Sequence, residues 1–284
     1  MRAMPALRTM VLTVVAMLAF AANSILCRLA LAGSSIDPAS FGSLRLVSGA
    51  LMLALVLRLR ARPTAATQRV DWLAAAMLFA YVAFFSFAYL SLAAGTGALI
   101  LFGAVQLTML TAGWRGGESF GVWGWAGFAL AAGGLVWLAL PGVTAPSLLG
   151  ATSMAVAGIA WGVYSLRGRG VADPLAASAA NFARAAPLAL LLSLILAIQA
   201  HADPRGAALA VASGAITSGL GYVVWYAALP GLSALRAATV QLSVPPLAAI
   251  GGVLFMAEPI TPRLAGASVA ILGGVALVLM RRRL

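Results

Sequence analysis

The chain has 284 residues, of which 63% are hydrophobic and only 8% charged; a soluble domain carries roughly 25% charged and about 45–50% apolar residues. That balance excludes a water-soluble globule and leaves no stretch polar enough for a separate soluble catalytic or ligand-binding domain. A net charge of +12 invites a nucleic-acid reading, but the basic residues are all arginines between apolar runs and form no basic, aromatic-lined groove, so they read as orientation signals in a membrane.

A membrane-crossing helix needs about 20 mostly apolar residues. Charge and turn residues divide the chain into ten such runs: 9–30, 39–57, 71–90, 95–113, 121–140, 147–166, 175–199, 206–229, 233–256 and 263–280. Ala19-Phe20-Ala21, behind Arg2 and Arg8, resembles a signal-peptidase site. The apolar run continues well past it, so the segment reads as a retained first helix. With the N-terminus cytoplasmic, thirteen arginines fall on the inner side and three on the outer, a strong positive-inside signal. The predicted fold class is therefore an all-α integral membrane protein of ten spans with both termini cytoplasmic. A single cysteine, Cys27, excludes an internal disulfide.

The chain also repeats itself. A shift of 140 residues lays Glu118 on Glu258 and Gly133-Gly134 on Gly273-Gly274, and a shift of 141 lays Phe20–Ser24 on Trp161–Ser165. Two units follow, 1–142 and 143–284, each of five spans. An odd number inverts the second unit in the membrane, and such repeats place a substrate site at the midplane between halves that rock against each other.

The Trp161-Gly162 pair, the stretch RAATVQLSVPP from Arg236 to Pro246, Glu258 and the Gly266 to Gly274 tail resemble the drug/metabolite transporter superfamily with its EamA-type five-helix repeat. The resemblance covers about residues 9–280, and the subgroup most similar in appearance is the bacterial YddG-type aromatic amino-acid exporters. The first half departs from the pattern, with Val105-Gln106 where the second has Pro245-Pro246 and Phe20-Ala21 in place of Trp-Gly. The resemblance implies a secondary transporter exporting small organic solutes, amino acids or related metabolites, across a bacterial inner membrane. Its expected partners are a small-molecule substrate and membrane lipid, with no nucleic acid, as a monomer or homodimer. Alternatives are a proton- or sodium-coupled transporter, an intramembrane enzyme and a structural membrane subunit.

Asp37, Asp71, Glu118, Asp173, Asp203 and Glu258 all lie at span ends, and His201 lies in an outer loop. Proton-coupled transporters relay protons through membrane-buried acids or histidines, so facilitated diffusion is expected. No Walker A motif or zinc-ligand cluster is visible, no cofactor is called for, and an intramembrane enzyme would need a nucleophile–base or metal constellation that the sequence does not supply. Glu118 and Glu258 each read as carboxylates favouring the positive start of the helix that follows.

Two arginines fall inside spans. Arg45, about 10 Å along its helix, reads as snorkelling outward. Arg184, about 15 Å along its own, either pairs a substrate carboxylate or bonds backbone freed by Pro187. The predicted substrate-binding set is Asn23, Tyr81, Phe85, Gln106, Trp161, Tyr164, Arg184, Trp225 and Gln241; Tyr89 and Tyr222 share faces with members of that set and read either as cavity residues or as interfacial anchors. Pro187, Pro245 and Pro246 should kink spans seven and nine and serve gating. The glycine pairs should let helices pack closely. Spans one to four should surround a cavity facing spans six to nine, with five and ten outside.

Overall fold

The computed structural model describes residues 6–60, 71–117, 121–140, 145–168, 171–232 and 240–281. Within them the regular structure is helical, with a single isolated bridge between Ile36 and Ala202. The helices are α1 (Ala6–Ala32), α2 (Pro38–Arg58), α3 (Trp72–Ala88), α4 (Ala94–Arg115), α5 (Val122–Ala139), α6 (Leu148–Arg167) and α7 (Pro174–Ile195). A composite run α8 (Pro204–Gly231) follows, then α9 (Val244–Met256) and α10 (Pro262–Arg281). Seven helices among the described residues are long and apolar enough to cross a membrane, and Trp72–Ala88, Val244–Met256 and Pro262–Val278 are shorter apolar helices.

The burial pattern is that of a protein in an apolar solvent. Large apolar side chains point outward from helix after helix, among them Leu7, Leu51, Trp123, Leu149, Leu194, Phe255 and Val269. Polar side chains turn inward: Asn23, Ser24, Arg45, Gln106, Ser213, Thr217 and Ser218 are all buried. The chain is a multi-pass membrane protein.

Acids at the span ends start helices. Asp37 accepts from the backbone N–H of Ala39 and Ser40, Asp71 from Ala74, Asp173 from Ala176 and Asp203 from Gly206. These are N-caps, which satisfy donors that the first turn leaves orphaned, and Pro38, Pro174 and Pro204 stand just behind three of them, where a missing N–H costs nothing. Burial pushes the Asp37 carboxyl up, but the Ser40 hydroxyl and the N–H groups of Ser40, His201 and Ala39 outweigh it and hold the carboxyl below the usual carboxylate range.

The corners joining the helices are tied at both ends of the bundle. At one end Asp37 and His201 exchange backbone and side-chain bonds of 3.0 Å, and Asp203 N–H donates to the Ser35 carbonyl at 2.7 Å. At the other, Arg60 pairs with Asp173 at 2.7 Å and Arg167 with Asp71 at 2.6 Å.

In the interior α3 and α4 pack on α6, α2 on α7, α1 on α8 and α9, α2 on the middle of α8, α4 on α9 and α5 on α10. The α5–α10 crossing uses one glycine of each pair: Gly134 meets Ala270 and Ile271, and Gly274 meets Gly127 and Ala131, while Gly133 and Gly273 face open space.

One sequence expectation needs correction here. Pro245 and Pro246 do not kink a continuous helix; they sit in the first turn of α9, which begins at Val244 after a turn at Leu242-Ser243. Their missing N–H groups fall where a helix has no use for them. Pro187 lies inside an α7 that runs unbroken from Pro174 to Ile195, with its ring on the exposed side.

Candidate functional site

The middle of α8 is not α-helical. Residues Ser213–Leu220 form a π-helical segment between α-helical Pro204–Ala212 and Gly221–Ala228. Such segments are rare and frequent at functional sites. This one is rich in small and hydroxyl residues, and it comes so close to α2 that a methyl group at Gly214 would run into Ser48 and the Arg45 carbonyl. That approach brings Ser213, Thr217 and Ser218 into the interior.

Opposite them stands Arg45, 1% exposed. Its Nη2 donates to the Tyr81 hydroxyl at 2.9 Å and its Nε to Ser218 Oγ at 3.2 Å. The guanidinium carbon lies 5.0 Å from the ring centres of both Tyr81 and Phe85, within cation–π range. Asn23 completes the network, donating to the Tyr81 hydroxyl at 3.3 Å and accepting from Ser213 Oγ at 2.6 Å. One arginine nitrogen, Nη1, is buried with no hydrogen-bond partner among the described residues.

Asn23, Arg45, Tyr81, Phe85, Thr217 and Ser218 border a small, partly open cavity of about 20 Å³ lined from α1, α2, α3, α4, α6 and α8, with Gln241 ahead of α9. It has room for little more than one water molecule. Its walls are largely aromatic: Trp161 lies 4.9 Å from Tyr81 and 5.4 Å from Tyr222 by ring centres, and Phe20 and Phe85 close the sides. Neither α5 nor α10 contributes a lining residue.

Of the nine residues predicted to bind substrate, Asn23, Tyr81, Phe85, Trp161 and Gln241 line this cavity. Tyr164 stands behind it, its ring 5.3 Å from Trp161 and its hydroxyl donating to Ser178. Trp225 packs on Phe20 at 6.0 Å without reaching the cavity. Gln106 is buried in α4, and Arg184 is partly exposed on α7; neither lines the cavity.

Arg45 overturns its reading as a snorkelling side chain. With α7, α3 and the π segment packed round α2, its path to the surface is closed and rings cover the charge. Tyr222 and Tyr89 are not interfacial anchors either: both are buried, Tyr222 on the cavity wall and Tyr89 with its hydroxyl on the Ala94 carbonyl at 3.2 Å. Sequence reasoning missed Arg45, Thr217 and Ser218, and left Tyr222 out of the predicted set. The signal for Arg45 was available, because an ionisable residue inside a span is a functional candidate by default.

Glu258 also departs from expectation. Its carboxylate caps a helix start, but that of α4 across the protein: Oε2 accepts from Ala94 N–H at 2.7 Å. Oε1 pairs with Arg28 Nε at 3.0 Å, and Arg28 Nη1 donates to the carbonyls of Tyr89 and Leu90 just past α3. One cluster thus joins α1, α3, α4 and the α9–α10 corner. Glu118, its repeat counterpart, lies outside the described residues.

A multi-pass helical protein with a buried cation in an aromatic, hydroxyl-rich cavity has the features of a solute carrier. The chain belongs to the EamA-like transporter family, within the drug/metabolite transporter superfamily; the family's sequence profile matches residues 148–280, the half carrying Trp161-Gly162 and Pro245-Pro246. The chain is 57% identical to an uncharacterised protein of Pseudomonas aeruginosa over 279 residues, covering 98% of this chain and 97% of that one. A solved crystal structure superposes with a TM-score of 0.66 at 22% identity, covering 95% of this chain and 99% of its own. At that identity the likeness shows the fold alone.

Proposed function

We propose that this protein is a ten-span secondary transporter that exports small organic solutes, amino acids or related metabolites, from a bacterial cell by alternating access. The observation that carries the reading is the cavity between the two halves of the chain, where Asn23, Arg45 and Tyr81 from the first half meet Trp161, Ser218 and Tyr222 from the second. On this reading the units 1–142 and 143–284 are inverted repeats. Helix packing supports it: exchanging α1–α5 for α6–α10 carries the α3–α6 contact onto α8–α1, α4–α6 onto α9–α1 and α2–α8 onto α7–α3, and returns α5–α10 to itself. Both termini face the cytoplasm, so the Arg28–Glu258 cluster lies outside and the Arg60–Asp173 and Arg167–Asp71 pairs inside. Asn23, Tyr81, Phe85, Trp161 and Gln241 touch the solute, and Tyr164 and Trp225 support the walls.

Transport is downhill on this reading. The described acids cap helices or pair with arginines at the bundle ends, and an arginine does not release its proton in a protein. In liposomes, counterflow of a labelled solute from a panel of amino acids and metabolites should persist after an uncoupler and after replacement of sodium by choline. Accumulation of a neutral solute driven by a pH gradient alone would overturn downhill transport. If no solute in the panel moves, the transporter reading itself fails.

A further inference from the structure

Resting on that reading, we propose that the cavity takes organic monocarboxylates, one carboxylate on an apolar body, with Arg45 as the anchor for the anion, and that the membrane potential drives their export. As it stands the cavity holds little more than one water molecule, and it widens when the two halves part. Arg45 is 1% exposed, and none of its contacts among the described residues is an anion. Asp37, Asp71, Asp173 and Asp203 are engaged at helix starts and Glu258 with Arg28. Two hydroxyls and two ring faces solvate the guanidinium but leave its positive charge unbalanced. A buried charge without a counter-charge is disfavoured; Arg45 lines the cavity and its buried Nη1 is an unused donor among the described residues.

A carboxylate supplies what is missing. Guanidinium donors suit its two oxygens, and the Tyr81 hydroxyl, which accepts from both Arg45 and Asn23, keeps its own proton to donate to the same ligand. One cation matches one anionic charge, so a phosphate dianion or a dicarboxylate brings a second charge with no partner. An amino acid brings an ammonium group, and the cavity lining includes no acidic residue. The ring faces of Tyr81 and Phe85, which would otherwise receive a cation, already lie against Arg45.

The charge also explains the energetics. A carrier moving one net negative charge needs no proton relay, because the inside-negative potential expels the anion. Each 100 mV sustains a gradient of roughly fifty-fold for one charge.

The test uses purified full-length protein in liposomes, with 3-phenylpropionate, phenylalanine and phenethylamine as matched carboxylate, zwitterion and amine. A potential-sensitive dye reads charge movement, which separates carrier-borne anion from passive leak of the neutral acid. Wild type should move 3-phenylpropionate electrogenically, at least tenfold faster than phenylalanine or phenethylamine. Clamping 100 mV with potassium and valinomycin should shift its distribution towards fifty-fold. Arg45→Gln should remove the electrical signal, and Arg45→Lys should keep the preference for carboxylate at weaker affinity. If Arg45→Gln does not fold, the wild-type preference decides alone. Equal rates for the three probes, electroneutral movement of 3-phenylpropionate, or an Arg45→Gln protein that still carries it would overturn the inference and leave the transporter reading standing. If the wild type moves none of the three but moves another solute, the inference alone fails; if it moves no solute of any class, both fail.

Discussion

Replacing Glu258 by alanine should open one end of the protein. Its carboxylate is the only acidic group in a cluster that draws α1, α3, α4 and the α9–α10 corner together, bonded to Arg28 at 3.0 Å and to Ala94 N–H at 2.7 Å. The side chains of Arg28 and Glu258 are 19% and 14% exposed, between the surface pairs that contribute almost nothing and the buried ones whose disruption is severe. Losing the carboxylate should therefore cost roughly 1–3 kcal/mol, enough to raise an open population roughly five- to 150-fold. The protein carries its own reporter: Cys27, the single cysteine, is fully buried one residue before Arg28. Maleimide labelling of Cys27 should accelerate by about that factor in Glu258→Ala and less in Glu258→Gln, which keeps an acceptor for Ala94. Arg167→Gln, at the opposite end, should leave the rate unchanged. Equal labelling of Cys27 in all variants would show that another contact holds this end closed.

Substitution of glycine by alanine should sort the helix crossings by effect. At Gly214 the added methyl meets Ser48 Oγ and the backbone of Arg45, and a carbonyl cannot step aside as a side-chain tip can. Overpacking of this kind costs about 1–3 kcal/mol and sometimes more, and Gly214→Ala should reach the upper end. Gly127→Ala places its methyl 2.6 Å from the Gly274 carbonyl and should separate α5 from α10 at similar cost. Gly133→Ala and Gly273→Ala meet nothing within 4 Å and should be neutral or slightly stabilising, because alanine restricts the unfolded chain. Thermal unfolding of the five proteins in one detergent gives the comparison. A uniform response would mean that glycine does not set these distances.

The helices were legible because each is a long apolar run ending in charge or proline. Caps such as Asp37-Pro38 and Asp173-Pro174 are local signals, and the helices start where those residues stand. Aromatic residues four apart on α3 share a face, which put Tyr81 and Phe85 together on the cavity wall. What escaped depended on which helix comes to lie beside which. Distance along α2 places Arg45 within reach of an interface, but whether it turns out or in is decided by what packs on α2. Glu258 reads as capping the helix after it because sequence shows only that neighbour, whereas it caps α4, 164 residues away. The π segment has no periodic signature at all. SGAITSGL fits an ordinary membrane helix, and its close approach to α2 at Gly214 is a tertiary contact that sequence does not display.

That segment makes the length of α8 consequential. A π turn takes up one residue more than the α-helical turn it replaces, so the second half of α8 emerges in a phase that an uninterrupted helix would not have. Removing a single residue from Ser213–Leu220, such as the outward-facing Ile216, would let the backbone relax to regular α geometry at little loss of hydrogen bonding. Everything beyond would then keep its phase, because the turn loses only the residue it had absorbed. The same deletion from the α-helical Pro204–Ala212 would instead turn everything beyond by about 100°, carrying Tyr222 off the cavity wall and bringing a neighbour such as Val223 towards Trp161. The chain thus fixes the composition of its cavity wall by counting residues: the π turn can give one up, but a one-residue change in the α-helical turns ahead of it would rewrite that wall.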